Sequence, residues 1–201
     1  MTAASRKQDK QTREARYFLF ICGAFLTGAL VGSLIVSCLP ESGQGMLSSY
    51  YAAVAAGEMQ TSLRSELLRS VLLTGIIFVS AMLRCGSTII PAAAAVKGAS
   101  ISFRISCFIR AYGIKGYFPA VISIFIPALI SSSAVILFSA KALEHSYMIS
   151  CRGYGSRGRY EGFDRTFGFS AAAALFLSLA ASVIYCCIGP IFAYIAFSAI
   201  S

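Results

Sequence analysis

The stretch Ile89 to Ile109 reads IIPAAAAVKGASISFRISCFI, long and apolar enough to cross a bilayer, yet it holds Lys97 and Arg104. Pro91 suits the first turn of such a helix, where a missing N–H would have no partner anyway. The two cations stand seven residues apart, which puts them on nearly the same helical face, roughly 10 Å apart along the axis. Insertion scales charge about 2.5–3.5 kcal/mol for each central Lys or Arg, and intramembrane charges are rare and functional. Lys97 and Arg104, with Gly98 between them, are therefore the first candidate site residues.

The rest of the chain reads as membrane built around that segment. Of its 201 residues 57% are hydrophobic, and a mean hydropathy of +0.75 exceeds that of a soluble domain. The predicted fold class is an all-α membrane protein with about five transmembrane helices and a short amphipathic interfacial helix. Residues 1–16 form a basic tail, and Tyr17 to Leu39 is the first apolar run. Ile35 to Cys38 resembles a lipoprotein cleavage box. The run is longer than a signal peptide's apolar region, however, and more spans follow it. Ala24, Gly28 and Gly32 recur every fourth residue, a small-residue stripe against which another helix can pack.

Residues 40–66 begin as a turn and become amphipathic, with Leu47, Tyr50, Tyr51 and Val54 on one face, an outer segment lying along the interface. Further spans are expected at about 67–83, 89–109, 117–143, where Pro127 predicts a kink, and 167–200. Between the last two, 144–166 is read as a polar loop rich in glycine and arginine.

Seventeen Lys and Arg against eight Asp and Glu give a net charge of +9. The charges lie at the ends of apolar runs, which favours a topology signal over a nucleic-acid surface. With the N-terminus inside, eleven basic residues face the cytoplasm and three the outside, among them Arg110 and Lys115. The expected orientation is N-terminus cytoplasmic and C-terminus outside.

None of the five predicted spans contains an acid. Arg104 lies near the outer boundary and can snorkel. Lys97 must meet broken-helix carbonyls, a wet crevice, a lipid phosphate or another protein's carboxylate, and Gly98 favours the first two. No catalytic constellation, cofactor motif or metal-ligand spacing is present, so no enzymatic activity is expected. Seven cysteines without a CxxC pair read as soft packing residues, with a Cys38–Cys107 bridge as the less favoured alternative.

Gly75, Pro91, Lys97-Gly98 with Phe103, Tyr112-Gly113-Ile114-Lys115-Gly116 and Ile126-Pro127 together resemble the stage II sporulation protein M family, chiefly over residues 16–143. That resemblance implies a bacterial multi-pass cell-membrane protein acting in endospore engulfment. It would be a non-enzymatic scaffold that recruits peptidoglycan-degrading partners for cell wall remodelling, among membrane lipids and other membrane proteins. It also marks Gly113, Lys115 and Pro127 as candidate contacts beside Lys97, Gly98 and Arg104. The Arg-rich inner loop departs from the family's pattern. Ser150 to Ser156, centred on Arg152-Gly153, is similar to the coupling motif in the transmembrane component of energy-coupling-factor transporters, although Cys151 replaces its alanine and only one copy is present. The alternative functions are thus a transporter subunit or an anionic lipid or solute permease. The plainer reading of Arg152, Arg157 and Arg159 is a basic loop on anionic headgroups.

Overall fold

The computed structural model describes residues 3–38, 63–83, 85–112, 125–152 and 165–198. Among them are five helices and no strand: α1 (Ala3–Ser37), α2 (Leu63–Met82), α3 (Gly86–Tyr112), α4 (Ile126–Arg152) and α5 (Arg165–Ser198). Four of these, α1, α2, α4 and α5, are long and apolar enough to cross a membrane. The helix α3 has the length but not the composition, because Lys97, Arg104 and its serines interrupt the apolar run.

Successive helices alternate in direction. Gly28 and Gly32 of α1 lie against Ala95 and Ala99 of α3, so residue numbers rise together and the two helices run parallel. Glu66 reaches Arg104, Ser70 meets Ser182 and Phe78 stacks on Phe167, so α2 is antiparallel to α3 and α5. Tyr17 near the start of α1 faces Tyr147 near the end of α4, with ring centroids 6.2 Å apart.

The helix on which the others converge is α4, which packs against each of the other four, while α1, α3, α2 and α5 follow one another around it. Its sequence explains this position. Ser132, Val135, Phe138, Ser139, Ala142 and Ser146 are all buried and cover a broad face with mainly small or short side chains, permitting close approach on several sides. The outward surface is the reverse, carrying large apolar residues such as Leu19, Leu30, Leu72, Leu137, Phe169 and Phe176. In a soluble bundle these would be inside. Here small and hydroxyl residues line many of the helix contacts around Ile21, Ile77, Ile90, Phe138 and Phe167, while many bulky ones face out, a distribution suited to surrounding hydrocarbon.

The basic tail is helical from Ala3, continuous with the first apolar run. One expectation is corrected. The segment 144–152, expected as loop, continues α4: nothing from Glu144 to Arg152 breaks a helix, and the first glycine comes at Gly153. That extension is anchored, since Ser146 Oγ donates to Leu83 O at 2.9 Å, and the His145 ring stacks on Phe167 at 4.7 Å. Pro127 is the second residue of α4; the stretch 117–124 before it, and with it the expected kink, lies outside the described residues. The amphipathic segment 46–57, the Gly113 and Lys115 turn and the Arg157–Arg159 loop lie outside the described residues.

Candidate functional site

The residues that mark α3 in the sequence divide between two of its faces. One face is small. An added Cβ on Gly28 would meet the Ala95 backbone, one on Gly32 the Ala99 backbone, and one on Gly98 the backbone of Phe25. Glycine is required at these positions because neighbouring backbone occupies the space of a side chain. Ala24 lies one turn before Gly28, and its carbonyl accepts a hydrogen bond from Thr27 Oγ1 at 2.9 Å. α3 passes through Gly98 as regular helix, so the broken-helix carbonyls expected around Lys97 are not formed; Gly98 serves close approach instead.

The second face carries charge. Arg104 Nη2 donates to Glu66 Oε1 of α2 at 2.6 Å, and the Arg104 guanidinium lies over the Tyr185 ring of α5, 5.8 Å from its centroid. Arg104 is thus held by a carboxylate and an aromatic ring from two other helices, where snorkelling to the boundary was expected. Glu66, assigned to the outer segment in the sequence, belongs to the first turn of α2. Lys97 is half-buried and lies within electrostatic range of Arg104, Glu66 and Arg69. Among the described residues the Arg104–Glu66 contact is the sole ion pair. The cluster of Arg69, Lys97, Arg104 and Glu66 therefore carries a formal charge of +2.

Arg69 also borders a groove of about 570 Å³ between α2 and α3, lined by Leu68, Leu72, Ile76, Ile89, Ala92 and Val96, with Ser65 and Arg69 its only polar neighbours among the described residues. At the same end of the bundle, Arg110 Nη1 donates to Val36 O at 2.7 Å, satisfying a carbonyl in the last turn of α1. A serine seam runs between α2 and α5, where Ser70 Oγ and Ser182 Oγ are 2.9 Å apart.

The structure thus brings Lys97 and Arg104 into one cluster and sets Gly28, Gly32 and Gly98 into one helix contact. Pro127 is buried in the first described turn of α4, and Arg152 is the last described residue of that helix. Cys38 and Cys107 are free thiols, so no bridge joins them. Sequence reasoning did not find Glu66, Arg69, Arg110 and Tyr185. A signal existed for the first: α2 and α3 form a hairpin tipped at Cys85, and Glu66 and Arg104 each lie nineteen residues from it. No protein-family model, curated protein or solved structure matches this chain.

Proposed function

We propose that this chain is a bacterial multi-pass membrane protein with five spans, N-terminus cytoplasmic and C-terminus outside. In this reading it acts as a non-enzymatic scaffold of the stage II sporulation protein M kind, supporting engulfment and cell wall remodelling by holding peptidoglycan-degrading partners at the membrane. Two features support the fifth span. α3 runs parallel to α1 in close contact, and the five helices alternate in direction. A helix locked along a membrane-crossing neighbour crosses with it, and its cations are tolerable because Glu66 accompanies Arg104.

The observation that carries the scaffold reading is the interlock at Gly98. The Lys97-Gly98 pair, where the resemblance is most specific, lies in the close α1–α3 contact, which supports a framework role for it. Deleting Met46 to Gly57 from the outer segment is expected to abolish capture of cell-wall partners from native membranes while leaving the helical bundle folded; unchanged capture by a folded variant would end this reading.

A second reading, the anionic lipid or solute permease or transporter subunit, is favoured by the net positive cluster of Arg69, Lys97, Arg104 and Glu66. Flux of an anion in liposomes that Lys97→Ala removes is its test.

A further inference from the structure

The groove between α2 and α3 is amphipathic along its length. Its walls are aliphatic from Leu68 to Ile76 on α2 and from Ile89 to Val96 on α3, and its polar neighbours, Ser65 and Arg69, sit one turn apart at the end where α2 begins. By the hairpin register about Cys85, Ile89 lies level with residue 81, so from Ser65 to Ile89 the groove runs roughly 24 Å. Leu68, Leu72, Ile76 and Val96 also stand on the exposed apolar surface, so the groove opens where lipid tails would surround the bundle. Arg69 is exposed and forms no ion pair among the described residues, and the surrounding cluster has two more cations than Glu66 can balance.

We propose that this groove is a binding site for one anionic glycerophospholipid, its phosphate against Arg69 and one acyl chain laid between Leu72 and Ile76 of α2 and Ala92 and Val96 of α3. Charge complementarity selects the headgroup, because an unpaired guanidinium at the end of an apolar cleft is matched by a phosphate monoanion. The aliphatic walls select the tail. The lipid then joins α2 to α3 on the side away from the glycine contact, and the site goes beyond the scaffold reading, since it needs no protein partner and no transport.

The delipidated full chain, titrated with phosphatidylglycerol, phosphatidylcholine or inorganic phosphate and followed by native mass spectrometry, tests the assignment. Phosphatidylglycerol should be retained in preference to phosphatidylcholine, and phosphate alone should not displace it. Arg69→Gln should weaken retention about fivefold, the factor expected for one cation near an anionic headgroup. Ala92→Phe, which fills the groove from an exposed position and leaves every charge in place, should abolish it. Arg13→Gln, a remote exposed cation, should change nothing. Equal binding of the two lipids, equal effects of Arg69→Gln and Arg13→Gln, full displacement by phosphate, or unaltered retention in a helical Ala92→Phe variant would each overturn the proposal.

Discussion

Replacing Gly28 by alanine adds one methyl group where α1 and α3 already touch. That methyl would stand 2.7 Å from Ala95 Cα, whereas ordinary carbon–carbon contact needs about 3.5–4.0 Å. The obstruction is backbone and has no rotamer to change, so the helices must part by roughly 1 Å, at an overpacking cost of about 1–3 kcal/mol. Gly98→Ala meets Phe25 backbone from the other side and should cost a similar amount. One outward movement of α1 relieves both obstructions, so the double variant should lose less than the sum of the singles. Gly23 and Gly75 have nothing within 4 Å of an added Cβ, and their alanine variants should stay within about 0.5 kcal/mol of the parent. Reversible unfolding in mixed micelles, followed by far-UV circular dichroism, gives all five numbers. If Gly28→Ala is as stable as Gly23→Ala, the inferred backbone contact does not exist.

Two further outcomes follow from the charges and the thiols. Arg104 and Glu66 are 24% and 19% exposed, between a surface pair and a buried one. Arg104→Gln and Glu66→Gln should therefore each cost about 1–3 kcal/mol, and the double variant less than their sum. A double-mutant cycle on the same unfolding assay measures this, and zero coupling would remove the pair. In single-cysteine variants, a membrane-impermeant maleimide should label Cys38 from outside the cell and Cys85 only after permeabilisation; both are exposed thiols at opposite ends of the bundle, and the reverse pattern would invert the proposed orientation.

The helices themselves were legible because a span must be long and apolar, and the stripe of Ala24, Gly28 and Gly32 was legible because close packing in hydrocarbon leaves few other choices of residue. What the residues concealed was which helix lies inside. In water an interior helix stands out by its apolar face; within lipid, interior and exterior are both apolar, so α4 differs from its neighbours only by a scatter of serines and alanines that hydropathy ignores. Helix ends were misread for a related reason. Glu66 and Glu144 signalled loop by their charge, yet each lies in a helix that extends beyond its apolar run. Once Glu66 was set outside the span, Arg104 had no visible acid. The hairpin register about Cys85 would have restored the match, since equal distance from a tight turn places antiparallel residues side by side.

The parallel contact between α1 and α3 also imposes an order on biosynthesis. Ala95 follows Gly28 by 67 residues, and α2 is made between them. At about 5–20 residues per second, α1 waits roughly 3–13 s in the membrane before its partner exists. During that interval the glycine face that ends as the tightest seam of the bundle is a bare backbone surface open to any passing helix.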